Sequence, residues 1–595
     1  MPDSAGSTSR PVPPSRRGVL RAAAVVGGAL GVPGGVLSSG AHPSAAAAPA
    51  AAPSLPPELP AGLEAYRTPY INWAGEITHH GLWACAPRTG QDLADLANWA
   101  HGNGWRLRAR GKAHNWSPLT ITGPTESDQR VLLLDTTRHL TRMELVTPPA
   151  GAPGAVRAQT GVTLEALTEY LAGHGLGVTN TPAPGELTLG GTLAIDAHGT
   201  SVPATGETAR PGHTYGTLSN LVLSVTAVVW DAARSTYVMR TFHRGSDKEC
   251  EALAAHVGRG LVAEVVLQAG EEMPLRCQSR VDLSSDELFA PPGSALAGRG
   301  NTFADFLDRS GRVEAIWFAF TDKPWLKVWS LSPERPPTAR TVHHPYNYPF
   351  SDSVPTPVAR LAGRMLGEAA WYLAPAFGAA QYTVAATGLA ATFATDLWGA
   401  AHNLQFYLRP TTLRETANGY AVLTRRADVQ RVVSQFAAYY SEQLRTRAAR
   451  GEFPVNGQVE IRVGGLDRPE ESAAPGARPP LLSVVRPPVD RPEFDCAVWI
   501  DVLTQPTTPG AHAFYRDLER FLLATFDGGY ALTRVEWSKG WAYTDTEAWA
   551  DQEVIGTTVP SSYGPGQWAE AIGVLDRLDP HNVFGNAFTD RLLRV

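Results

Sequence analysis

The sequence predicts an α+β protein of two domains behind a low-complexity N-terminal segment. The chain has 595 residues, 43% of them hydrophobic, enough for a large core and more than one domain. Between about residues 66 and 270, short strand-like runs interleave with helix-like periodicity. After Gly270 the composition changes to a hairpin rich in aromatics, helices dense in alanine and further strand patterns. That order points to a second unit with a large antiparallel sheet flanked by helices.

Composition narrows the class of function. Net charge is −6 with 18% charged residues, and no basic patch or stripe marks a nucleic-acid footprint. Cys85, Cys250, Cys277 and Cys496 are scattered, without a CxxC or Cys/His cluster, so no metal site is expected and four buried thiols are. Residues 1–50 read as an address and low-complexity tail. Ser15-Arg16-Arg17-Gly18-Val19-Leu20 is a twin-arginine pattern, followed by a glycine-containing apolar run at 22–36 that is too short to span a membrane. An Ala/Pro tract at 45–60 supplies cleavage sites for a signal peptidase. The expectation is a protein exported folded by the twin-arginine route and secreted.

In the first unit, residues 92–101 have helical spacing that Gly102 and Gly104 end. Apolar and basic residues alternate to Ala109, as in a strand, and run into the turn Arg110-Gly111-Lys112-Ala113-His114-Asn115-Trp116-Ser117-Pro118. A buried-type strand follows at 131–135, then Gln159-Thr160-Gly161-Val162, a helix at 163–172 and a glycine loop entering an apolar segment at 189–199. Residues 220–230 and 235–241 read as a strand pair, and 258–266 as a closing strand. Glycine lets a backbone approach a diphosphate, and free loop N–H groups bind its oxygens; Gly111, Gly161, Gly190 and Gly191 are the candidates. No GxGxxG follows an N-terminal strand, which disfavours a Rossmann flavoprotein.

In the second unit, 296–311 reads as a loop and short helix, and 312–320 and 326–330 as the two strands of the aromatic hairpin. Residues 357–398 read as helices able to lid an apolar pocket, and 428–450 as an amphipathic surface helix. Strand alternation over 459–463 places Glu460 and Arg462 on one face. Alone, such a pair is a surface ion pair worth about 0–1 kcal/mol. A second strand spans 495–501, and the segment 534–541 carries Glu536 and Lys539. Residues 543–564 read as polar and irregular, 568–578 as a helix, and 579–588 as a closing turn.

The glycine-turn succession resembles the FAD-binding domain of the vanillyl-alcohol-oxidase (PCMH-type) superfamily. The segments 459–467 (VEIRVGGLD), 495–501, 534–541 and 579–588 resemble the covalent-flavin (type II) cholesterol oxidases. The resemblance implies an FAD-binding domain at 66–270, a substrate domain at 271–545 and a C-terminal return to the first domain at 546–595. It implies FAD bonded to His114, with His198 a lesser rival, and Arg110, Gly111, Asn115, Ser117, Gly161, Gly190, Gly191 and Asn586 at the cofactor. The bond would raise the flavin's reduction potential. It places Glu460, Arg462, Glu314, Asp501, Glu536 and Lys539 around an apolar pocket, where buried charges must pair. The family has an asparagine at the position of Asp501, and the extra charge is expected to push Glu460 or Glu314 upward.

The implied activity is oxidation of a 3β-hydroxysteroid by dioxygen, giving hydrogen peroxide, with cholesterol becoming cholest-4-en-3-one. Glu460 or Glu314 takes the 3-hydroxyl proton, hydride passes from C3 to the flavin, and Glu460 moves the C4 proton to C6. Arg462 stabilises the developing enolate or the reduced flavin. The implied partners are the sterol, dioxygen and transiently a membrane or lipid sterol source; nucleic acid is not one, and the expected state is monomeric. Two alternatives are a same-fold oxidase of a sugar, aldonolactone or aromatic alcohol, and a secreted sterol-binding protein without turnover.

Overall fold

Three sheets carry the chain, and the site lies where they meet. The computed structural model describes residues 54–123, 130–352 and 356–593. The twin-arginine pattern and its apolar run lie outside these residues.

The first sheet holds β1 (Tyr66–Ile71), β2 (Thr78–Cys85), β3 (Arg106–Arg110) and β4 (Val131–Asp135) in the order β1-β2-β4-β3. β2, β4 and β3 run parallel. The connection into β3 is the helix Gly90–Asn103, started by a reciprocal capping box between Thr89 and Asp92 and stopped by Gly104 in the left-handed conformation at φ 67°. Leu93, Leu96, Ala97 and Ala100 give it the buried face that the sequence spacing predicts.

The second sheet is antiparallel. It holds β5 (Met143–Val146), β6 (Gly154–Gln159), β7 (Leu176–Gly177), β8 (Val222–Asp231), β9 (Thr236–His243) and β10 (Leu261–Glu271), in the order β5-β6-β10-β8-β9 with β7 on the end of β10. Thr163 caps the helix Leu164–Ala172. The expected glycine loop at 189–199 begins instead as the short helix Leu189–Ala194. Thr188 caps it, Leu189 and Leu193 are buried, and Gly190 and Gly191 occupy the first turn, where backbone N–H groups have no partner within the helix.

The third sheet has nine strands in the order β14-β15-β11-β13-β12-β17-β18-β16-β19. They are β11 (Leu275–Arg280), β12 (Arg312–Phe318), β13 (Trp325–Leu331), β14 (Arg340–Thr341), β15 (Asp396–Gly399), β16 (Thr416–Thr424), β17 (Gln458–Gly465), β18 (Cys496–Thr504) and β19 (Ala531–Val535). All pairings are antiparallel except β14 with β15. The 357–398 region holds helices Thr356–Glu368 and Ala374–Ala391, but its end forms β15, which pairs with β11 and β14 and is tied to β11 by Asp396 and Arg276 at 2.7 Å. The helix Val429–Ala448 buries Val432, Val433, Phe436 and Tyr440 in the core, so it is more than surface scaffold. The 543–564 segment is less irregular than its polarity predicts. It contains a π turn at Val554–Thr558 and the helix Val559–Tyr563, with Ile555, Val559 and Tyr563 buried.

All four cysteines are buried free thiols. No helix among the described residues is long and apolar enough to cross a membrane.

Candidate active site

One large cavity runs between the glycine turns and the central strands of the third sheet. Arg110, Gly111, His114, Asn115, Gly190 and Gly191 line it from one side, and Glu460, Arg462, Glu536 and Lys539 from the other. Leu408, Leu413, Leu503, Trp116 and Phe584 make much of the wall apolar.

His114 enters the cavity wall from the turn after β3, with Ala113 in the left-handed region at φ 54°. Trp73 stacks on the imidazole at 3.8 Å between ring centroids. Its Nδ1 is buried without a hydrogen-bond partner, 3.7 Å from Glu186 Oε1. Burial depresses the pKa of His114 against the opposing pull of Glu186, which favours the neutral ring. The turn is fixed by chain flanking the third sheet: Trp116 N and Ser117 N both donate to Ser538 O, at 2.8 and 3.0 Å, and Trp116 Nε1 donates to Glu415 O at 2.7 Å.

A Cβ on Gly111 would collide with the Thr188 hydroxyl, and one on Gly190 would lie 2.7 Å from Thr160 Cβ. Glycine at these two positions lets the turns pack tightly against the Thr188 and Thr160 side chains while their own backbone lines the cavity, beside an imidazole whose Nδ1 has no hydrogen-bond partner. These residues fit the FAD expected from the sequence.

Three expected cofactor residues lie off the cavity wall. Gly161 sits beneath it, where a Cβ would run into the Thr136 carbonyl. Ser117 is fully buried, and its hydroxyl has no partner. The Asn586 amide is engaged elsewhere: Nδ2 donates to Pro118 O at 2.9 Å, and Oδ1 accepts from Thr589 N at 2.8 Å. Asn586 is thus a bracket between the C-terminal helix Ala587–Leu593 and the turn that carries His114, and its expected contact with the flavin ring is not what the geometry provides. His198 lines the cavity but stacks flat on Trp499 at 3.4 Å, with Nε2 3.8 Å from Glu536 Oε2.

The charged wall is assembled by strand register. Glu314 of β12 lies opposite Arg462 of β17, and Glu460 of β17 opposite Asp501 of β18. The Arg462 guanidinium bonds Glu314 Oε1 at 2.8 Å through Nε, contacts Glu460 through Nη2, and has Nη2 3.3 Å from Asp501 Oδ2. Glu314 is completely buried behind Arg462, and its two oxygens also accept from Tyr407 OH at 2.7 Å. Lys327, equally buried, lies 3.7 Å from Glu314 Oε2 and 3.0 Å from the centroid of the Tyr407 ring. Lys539 Nζ is 3.5 Å from Asp501 Oδ2 and 4.3 Å from the Trp116 ring.

The electrostatics differ from the expectation for Asp501. Burial raises Glu314, but Lys327, Arg462 and Tyr407 outweigh it and hold the carboxyl below its ordinary range. Asp501 is itself the perturbed group. Burial first, then the neighbouring Glu536, push it up to about 8. Glu536 moves down, because Lys539 and His198 outweigh its burial. Asp501 Oδ1 and Glu536 Oε2 converge on the empty side-chain position of Gly419, 2.5 and 2.9 Å from where a Cβ would sit.

Sequence reasoning missed Lys327, Tyr407 and Glu415. Lys327 faces Glu314 through the β12–β13 register, which no local pattern encodes. Tyr407 lies in irregular chain after the helix Ala401–Gln405. Glu415 immediately precedes β16 and lines the cavity, with no motif around it.

The family of cholesterol oxidase substrate-binding domains matches residues 274–594, and the FAD-binding domain family matches residues 83–233. A solvent-stable cholesterol oxidase of solved structure is 49% identical, with a TM-score of 0.87 over 91% of this chain and 100% of that one. The crystal structure of cholesterol oxidase from Brevibacterium sterolicum is 41% identical over the same shares, also with a TM-score of 0.87. An alditol oxidase from Streptomyces sp. is 27% identical over 144 residues, 24% of this chain and 32% of that enzyme, so the match spans about a third of its length. Glycine cradle, charged strand register and whole-chain likeness thus agree, and the chain belongs to the cholesterol oxidase family, which joins an FAD-binding domain to a cholesterol-oxidase substrate-binding domain.

Proposed function

We propose that this protein is a secreted FAD-dependent 3β-hydroxysteroid oxidase that converts cholesterol to cholest-4-en-3-one. The observation that carries this reading is the single cavity lined by His114, Glu460 and Lys539 between apolar walls. When bound there, FAD supplies a two-electron acceptor that dioxygen reoxidises to give hydrogen peroxide. His114 is its covalent anchor. Burial favours the neutral, nucleophilic imidazole, and Trp73 holds the ring plane. Arg110, Gly111, Asn115, Gly190 and Gly191 hold the cofactor along the wall.

Glu460 takes the proton of the steroid 3-hydroxyl. It reaches the cavity, whereas Glu314 lies behind Arg462 with both oxygens engaged. Arg462 stabilises negative charge developing on the steroid oxygen. Glu314 and Tyr407 orient Arg462; Asp501, Glu536 and Lys539 complete its charge environment. Residues 66–270 bind FAD and 271–545 bind the steroid. The 546–595 return is supported by Tyr237 OH donating to Asp579 Oδ1 at 2.6 Å and Leu107 N donating to Val583 O at 2.8 Å. Export by the twin-arginine route follows from the N-terminal pattern, and a lipid surface is the proposed source of sterol.

Peroxide release by the purified protein from 3β-hydroxysteroids, alditols and aromatic alcohols tests the substrate class. Steroid turnover is expected; turnover of alditols alone would transfer the reading to the sugar oxidases. Fluorescence of flavin surviving denaturing electrophoresis, absent in His114→Ala, tests the anchor. Glu460→Gln is expected to keep flavin and lose about a hundredfold or more in oxidation; unimpaired turnover removes Glu460 from the role.

A further inference from the structure

A second carboxyl on the cavity wall has the opposite electrostatic setting from Glu460. Glu415 is buried, at 3% exposure, and lines the same cavity as Glu460, Arg462 and Lys539. Its Oε1 accepts from the neutral amide of Gln505 at 3.0 Å. Among the described residues no lysine or arginine nitrogen comes within ion-pairing distance of it. The same oxygen lies over Gly457, 2.6 Å from where a Cβ would sit. Gln458, next along β17, lines the cavity, and Glu460 stands two residues further on the same face, about 7 Å away along the strand. The backbone carbonyl of Glu415 also receives the Trp116 indole, which fixes this residue against the turn of His114.

We propose that Glu415 is the general acid of the steroid isomerisation, delivering the proton that C6 gains while Glu460 takes the proton that C4 loses. The inference rests on the 3β-hydroxysteroid reading above. Glu460 first gives up the hydroxyl proton it gained in the oxidation, which leaves in the hydrogen peroxide, and is ionised again; the C4–H bond then breaks and its proton goes to Glu460. The C4 electron pair forms the C4–C5 double bond, the former C5–C6 double bond takes the Glu415 proton at C6, and Glu415 is left ionised. Proton return from Glu460 to Glu415 resets the pair, with no net charge or redox change. Two carboxyls of one site whose surroundings separate their protonation make an acid/base pair. Glu460 touches a guanidinium, and Glu415 has only amides. Burial, and secondarily the negative Glu460, push Glu415 up to about 8. Tyr515 also faces it, and Glu76 stands at the neighbouring Thr416 hydroxyl at 2.8 Å.

The test supplies the 5-en-3-one directly and compares its isomerisation with oxidation of the 3β-hydroxysteroid, on the flavin-loaded full chain. In Glu415→Gln the isomerisation-to-oxidation ratio is expected to fall at least about tenfold, and a smaller fall overturns the assignment. In the wild type, isomerisation is expected to decline as pH rises through about 8, because the acid loses its proton. That limb is expected to vanish in E415Q; its persistence there overturns the assignment. If E415Q yields no yellow protein, Asp501→Asn decides: the limb near pH 8 persists if Glu415 is the acid and vanishes if Asp501 is. A wild type inactive on every 3β-hydroxysteroid overturns the substrate reading as well. A wild type that makes the 4-en-3-one without the limb overturns only this inference.

Discussion

The glycine cradle and the charged wall face each other across one cavity, yet they are built by opposite means. The cradle is made of absences: at Gly111, Gly161 and Gly190 a single added Cβ would collide with a neighbouring residue. The wall is made of presences, with Arg462 meeting Glu314, Glu460 and Asp501 at once and Lys327 and Lys539 closing the circuit. Loss of space harms the first region and loss of charge harms the second. A buried ion pair is weak evidence for stability, but removing one partner leaves an uncompensated charge.

Arg462→Ala is the strongest way to break that contrast. It strands Glu460, takes one of the two cations from Glu314 and from Asp501, and is expected to cost about 3–5 kcal/mol in chemical unfolding, with steroid oxidation collapsing. Gly161→Ala attacks the cradle beneath the cavity wall. It is expected to cost about 1–3 kcal/mol and to reduce flavin retention, because the Thr136 carbonyl must move. If Gly161→Ala costs more than Arg462→Ala, close packing rather than charge pairing dominates the site.

Asp501→Asn sharpens the comparison through pH. The folded pKa of Asp501 is raised, to about 8, above an unfolded value of about 3.9. Its contribution is therefore complete below about pH 4 and lost as pH rises through 8. The variant's melting temperature is expected to gain on that of the wild type between pH 5 and 9; a constant difference would show that Asp501 is ionised throughout. Thr89→Ala, at a helix cap remote from both regions, is expected to cost about 1 kcal/mol and leave the pH profile of turnover unchanged.

Much of the first region is legible in the sequence because its signals are local. The helical spacing over 92–101 with Gly102 and Gly104 announces a helix, and the Arg110–Pro118 turn announces His114. Even there, the bracing of the turn by Asn586 is not legible locally, since its partners at 118–120 lie 466 to 468 residues away. In the second region, alternation over 459–463 correctly put Glu460 and Arg462 on one face. It could not tell that Glu314 is sealed behind Arg462, that Lys327 lies across from it, or that Asp501 and Glu415 are raised while Glu314 is lowered. Those facts depend on which strands become neighbours and in what register.

By itself, the sequence determined the kind of elements, the glycine turns that line the cavity and the presence of a charged strand, because each is encoded within a few consecutive residues. Only the tertiary structure decided which carboxyls are paired, which are neutral and which reach the cavity. A carboxyl's protonation is set by its burial and by charges on other strands, and those distances exist only once β12, β17, β18 and the 536–539 loop have packed together.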